Sequence, residues 1–125
     1  MGWLEWQRTN AKTNQDAVRA LADAGVTMLT GTDGGNLGVF QGFSVHREME
    51  LLVAAGLSEW DALRAATTNA AAFLSQPWGV GQGNEATFVV LDASPLDDIR
   101  NTRLIHTVVR RGAVVKQNQP PKATP

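Results

Sequence analysis

Asp33 is the residue in this chain best placed to do chemistry. It follows a short apolar run, Val26 to Thr30, and is followed at once by Gly34 and Gly35. A carboxylate held at the end of such a run can bind a cation or take a proton from water, and the glycines let backbone and substrate approach closely. The same spacing also suits an aspartate that merely caps a loop. Only two histidines are available to join it, His46 and His106. His46 falls near the start of an apparent helix, where it could touch a substrate or fix the loop 34–43 by hydrogen bonding. His106 alternates with Leu104 and Val108 on one strand face and reads as structural. Asp97, Asp98 and Arg100 follow Pro95 and suit turn and cap positions. Arg47, Glu48 and Glu50 read as a solvated helix face. Trp3, Trp6, Trp60 and Trp78 read as anchoring aromatics in a core or interface.

The elements that must position Asp33 follow from pattern. Thr13 with Asp16 has the form of a capping box, Val18, Leu21 and Ala22 make an apolar face, and Gly25 stands where a left-handed stop belongs, which predicts a helix over 13–24. The run Val26 to Thr30 is the strand of an αβ unit, a kind of strand usually parallel and buried on both faces. Residues 31–42 form a glycine-rich loop long enough to be functional. Val45, Met49, Leu52 and Val53 recur at helical spacing behind Ser44 as cap, and Gly56 closes that helix. Ser58 with Asp61 caps a third helix, with Leu57 and Ala62 as a hydrophobic staple. Thr68-Asn69 interrupts the pattern, and 70–74 adds a short turn or helix. From about Pro77 the helical period gives way to strands at 87–91, 104–110 and 113–116, with Arg111-Gly112 as the turn between the last two. One strand cannot make a sheet. Either the three later strands supply partners for Val26 to Thr30, or its partners lie outside the chain.

Composition bounds the function. The 125 residues are 43% hydrophobic and 18% charged, with a formal net charge of −1, which suits one soluble domain with a moderate core. No stripe of Lys or Arg tracks a phosphate backbone, so a nucleic-acid partner is not expected. No apolar run approaches a membrane span, and residues 1–10 alternate Trp with polar residues instead of building a signal peptide. The absence of cysteine excludes disulfides and thiolate metal sites, and the expected location is cytoplasmic.

The stretch GTDGGNLGVFQGFSVHREMELLVAAGLSEWDALRAATTNAAAFL, followed by VVLDASPLDDIRNTRLIHTVVRRG, resembles the C-terminal part of the amidohydrolase superfamily, in its imidazolonepropionase-like and prolidase-like branch. The likeness covers about residues 15–116. It implies an α/β fold: the C-terminal fragment of a (β/α)8 metal-dependent hydrolase barrel over residues 1–76 and part of the flanking β-sandwich over 77–117, followed by a disordered tail, 118–125. It implies hydrolysis of amide-type C–N bonds in small cyclic amide or dipeptide-like substrates, with a divalent metal, most often zinc. By position, Val26 to Thr30 resembles the eighth barrel strand, and Asp33 matches the aspartate past its end that ligates metal and takes a proton from the attacking water. Catalytic groups of this barrel gather at that end of the strands.

The resemblance also shows what is missing. The family takes a His-x-His pair, a bridging lysine or glutamate and further histidines from other strands, and this chain has no such set. A catalytic zinc wants three protein ligands. The expectation is a partial enzyme, inactive alone and not stably binding metal, with self-association through its exposed barrel strand. The alternative is a free-standing interaction module or a barrel-completing subunit with a vestigial metal site. A second departure is Gly83-Asn84-Glu85-Ala86-Thr87, where the family usually has Gly-Lys-x-Ala-Asp.

Overall fold

The computed structural model describes residues 3–76 and 78–117, with side chains from Asn10 to Lys116 apart from residue 77; the tail expected at 118–125 lies outside the described residues. Four helices precede a small sheet: α1 Trp3–Asp23, α2 Ser44–Ala54, α3 Glu59–Ala66 and α4 Thr68–Phe73, then β1 Phe88–Leu91, a 3-10 helix Ile99–Arg103, β2 Ile105–Arg110 and β3 Ala113–Gln117.

Three helix ends use the same device. At the end of α1, Gly25 N–H donates to Ala22 O and Val26 N–H to Leu21 O, at 2.9 and 3.0 Å, with Gly25 at φ 80°. The end of α2 repeats it at Gly56 and Leu57, and the end of α4 at Ser75 and Gln76. Each is a Schellman motif that satisfies orphan carbonyls and turns the chain sharply. The start of α1 differs from expectation: it begins ten residues before Thr13, so Thr13 lies in its interior, and Lys12 pairs with Asp16 at 2.7 Å across one helical turn. Ser44 is the first residue of α2 and not its cap; its hydroxyl accepts from Phe40 N–H at 2.8 Å. Ser58 caps α3 as its sequence indicates, accepting from Asp61 N–H at 3.1 Å, and the staple residues Leu57 and Ala62 are both buried.

The core is helical. Met49, Leu52, Leu57, Ala62, Ala65 and Ile99 form one buried cluster, with Val18, Ala22, Met28, Val45 and Val53 packed against it. Ala62 and Ala65 are fully excluded from solvent, and their small side chains let α3 approach its neighbours closely. The sheet has the order β1-β2-β3, antiparallel throughout. Arg111 and Gly112, at φ 51° and 77°, make the two-residue turn between β2 and β3, and positive φ at both central positions is what a type I′ hairpin requires.

The stretch Val26 to Thr30 corrects the sequence reading. It forms neither helix nor strand, and among the described residues the three-stranded sheet does not include it. Helix termini and side chains hold it instead. Thr30 N–H donates to Ala65 O, a carbonyl orphaned at the end of α3, at 3.2 Å, and Asn69 Nδ2 donates to Met28 O at 3.0 Å. The C-terminal strands are therefore not its partners.

Candidate functional site

The chain runs from Met28, packed on the core, to Asp33, which is exposed. Gly31 N–H donates to Glu48 Oε1 at 2.9 Å, which ties the end of the segment to α2. Two residues on, Asp33 sits in the left-handed region at φ 48°, a conformation that aspartate tolerates better than most residues. Its Oδ2 accepts from Asn36 Nδ2, at 2.5 Å. The loop then closes on itself: Gly35 N–H donates to Val39 O at 3.2 Å, and a Cβ at Gly34 would stand 3.1 Å from Gln41 Cγ. Gly34 thus gives its room to Gln41 within this loop.

Glu48 is the residue that the sequence reading missed. Taken with Arg47 and Glu50 as a solvated face, it is instead the anchor of Gly31, and its second oxygen, Oε2, is buried without a hydrogen-bond partner. The signal was its place four residues before Leu52, beside the apolar stripe of Val45, Met49 and Leu52. Glu50 is also enclosed, with only 12% of its side chain exposed. It lies between Arg47, at 2.9 Å, and Arg103, whose guanidinium stacks 4.9 Å from the Phe43 ring centre.

His46 faces the 3-10 helix. Its Nδ1 lies 3.0 Å from Thr102 Oγ1, and Thr102 is buried. The Thr102 hydroxyl donates its one proton to Ile99 O at 2.8 Å, so it can only accept from the imidazole. Neutral His46 is therefore the Nδ1–H tautomer, which leaves Nε2 as its acceptor. Burial, and after it the charge of Arg103, lower its pKa from the ordinary histidine value, with Glu50 pulling the other way.

The remaining sequence candidates are structural or exposed. His106 Nδ1 lies 2.8 Å from Asp92 Oδ1. Asp98 caps the 3-10 helix, and the Arg100 guanidinium beside it holds its pKa down to about 2. Trp60 and Trp78 are exposed and not core anchors; the side chains of Trp3 and Trp6 lie outside the described region.

Among the described residues no group of three or more His, Cys, Asp or Glu could hold a metal ion. Asp33 offers one carboxylate and His46 at most its Nε2, fewer donors than the three protein ligands of a catalytic zinc, so these residues do not fit a catalytic metal by themselves. Among the described residues, no helix is long and apolar enough to cross a membrane.

Comparison with known proteins agrees with the architecture. The family model described as the amidohydrolase family matches residues 7–115. Among solved structures, a molinate hydrolase is similar at 25% identity and a TM-score of 0.71, covering 78% of this chain and 25% of that one. Phenylurea hydrolase B is similar at 29% identity and a TM-score of 0.69, covering 86% of this chain and 29% of that one. The chain thus spans less than a third of the length of either. No curated protein matches it.

Proposed function

This chain belongs to the amidohydrolase family, and on that membership we propose that it is the C-terminal part of a hydrolytic enzyme that cleaves amide-type C–N bonds in small molecules. In this reading residues 1–76 complete a (β/α)8 barrel and 77–117 contribute to a flanking sandwich. The observation that carries it is the segment that leads to an exposed carboxylate and is held just before it by Glu48 and Ala65. Asp33 Oδ2 accepts from Asn36, and Oδ1 remains to take a proton from an attacking water. Nδ1 of His46 is committed to Thr102, so Nε2 is the edge it could offer a substrate. In the family a divalent metal, most often zinc, polarises the water and the scissile group. The described residues do not supply its ligand set, and Asp33 would be one corner of a site completed by other residues.

The test is a chimera in which this chain replaces the matching part of phenylurea hydrolase B. The expected result is amide-bond hydrolysis by the chimera, lowered at least about 100-fold by Asp33→Ala, the scale of a lost general base. Undiminished hydrolysis by the Asp33→Ala chimera would overturn the role of Asp33. Stoichiometric zinc in the 125-residue chain alone, with hydrolysis that a chelator removes, would overturn the partial-enzyme reading. One observation favours a second reading, an associating module or barrel-completing subunit: among the described residues the backbone groups of Thr27 and Leu29 have no hydrogen bond.

A further inference from the structure

Asp33 hangs between two tethers that belong to one helix. Within the loop its neighbours bond to each other: Asn36 Nδ2 donates to Asp33 Oδ2, Gly35 N–H to Val39 O and Val39 N–H to Asn36 O. Among the described residues, no hydrogen bond joins residues 32–39 to any residue outside the loop. The bonds to α2 come at the two ends. Gly31 N–H donates to Glu48 Oε1 at 2.9 Å, Phe40 N–H donates to Ser44 Oγ at 2.8 Å, and Ser44 N–H returns a bond to Phe40 O at 2.9 Å. Ser44 and Glu48 stand one helical turn apart, so a single face of α2 meets both ends of the loop.

We propose that Glu48 is a positioning residue for Asp33. Gly31 is the last residue before Asp33 that is bonded to the helices, so the bond it makes sets where the backbone enters the left-handed conformation at Asp33. The far tether, at Phe40, lies beyond the loop's own internal bonds and governs Asp33 less directly. What the task asks of Glu48 is an acceptor and not a charge. Its Oε1 takes the Gly31 proton, while Oε2 is buried and has no hydrogen-bond partner among the described residues, so no cation is held there. A glutamine offers the same acceptor in nearly the same shape, and an alanine offers none. Glu48 thus acts through the backbone, and small misplacements of a reacting group are costly to rate. The inference rests on the proposed role of Asp33.

Two measurements test it. In the chimera with phenylurea hydrolase B, Glu48→Ala is expected to lower kcat at least about tenfold with KM unchanged, and Glu48→Gln to recover most of that loss. In the 125-residue chain, hydrogen exchange reads the loop without any catalysis: Glu48→Ala should speed exchange at Gly35, whose bond lies inside the loop, and leave Phe40, held by Ser44, protected, while Glu48→Gln should speed neither. Unchanged Gly35 exchange in Glu48→Ala would overturn the proposal, because the tether would then not order the loop. So would a Glu48→Gln chimera as slow as Glu48→Ala, which would assign the effect to charge. The two possible failures are distinct. Hydrolysis lost in Asp33→Ala and kept in Glu48→Ala sinks the positioning role alone, whereas hydrolysis kept in Asp33→Ala sinks the role of Asp33 and the positioning with it.

Discussion

The helical cluster and the three-stranded sheet are incomplete in opposite ways. The helices bury one face and expose another: every buried apolar residue described belongs to α2, α3, α4, Leu57 or the 3-10 helix, while Leu21, Leu51, Trp60 and Phe73 on the helices stay exposed. Yet in the segment they support, the backbone groups of Thr27 and Leu29 have no hydrogen bond among the described residues. The sheet pairs its strands regularly but leaves apolar side chains in solvent, with Val89, Val90, Val114 and Val115 between 42% and 60% exposed. Two adjacent valines on one strand point to opposite faces, so both faces of the sheet are uncovered at β1 and at β3. One region lacks backbone partners and the other lacks packing partners. Both deficits are of the kind that neighbouring secondary structure removes, in keeping with the likeness to hydrolases of which the chain covers less than a third.

That contrast can be broken most directly by comparing stability. Leu52→Ala removes a buried side chain from the helical cluster and is expected to cost about 2–5 kcal/mol. Val115→Thr, on an exposed strand face, is expected to stay within about 0.5 kcal/mol. Urea unfolding of both variants checks this. Equal losses would mean that the sheet is as well packed as the helices. A smaller effect is expected from Glu48→Ala, which removes the acceptor of Gly31 N–H and costs about 1 kcal/mol, because water can replace part of the bond. Faster exchange of the Gly31 amide should accompany it, and an unchanged Gly31 amide would show that Glu48 does not hold the segment.

Much of this was legible in the sequence, and the exceptions have physical causes. Gly25, Gly56 and Ser58 announced their caps because one residue's local geometry sets each. The hairpin strands were legible because Arg111-Gly112 and β-branched residues act locally. The strand at Val26 to Thr30 was not realised, since a strand needs a paired segment and none of the described residues pairs with it. Thr13 misled because a capping pattern also occurs inside a helix, where Lys12 and Asp16 bridge one turn. Glu48 was taken for a surface residue because its acceptor role depends on Gly31, 17 residues away. The left-handed backbone at Asp33 and the Asn36 contact were likewise out of reach of pattern alone.

The smallest expected effect probes the join between the two regions, where α2 meets the 3-10 helix that leads into the sheet. Folding lowers the pKa of His46, through burial first and the Arg103 charge second, against the pull of Glu50. A histidine with a depressed folded pKa binds more protons when unfolded, so stability rises with pH through that window. The contribution is fully present above the unfolded value of 6.5 and is lost as pH falls through the lower folded value. Protonation leaves the Nδ1–H bond to Thr102 intact, so what is lost is the burial of a neutral ring and its distance from a like charge. The urea midpoint should therefore fall as pH is lowered from 7 toward 5, about the window of an unperturbed histidine and below, and His46→Gln should flatten that part of the profile. Asp98, held near 2, titrates well below this window and does not contribute to it. A profile of the same slope in His46→Gln would show that the α2 contact with the 3-10 helix is insensitive to the imidazole and rests on the Glu50–Arg103 pair and the burial of Ile99 in the helical cluster.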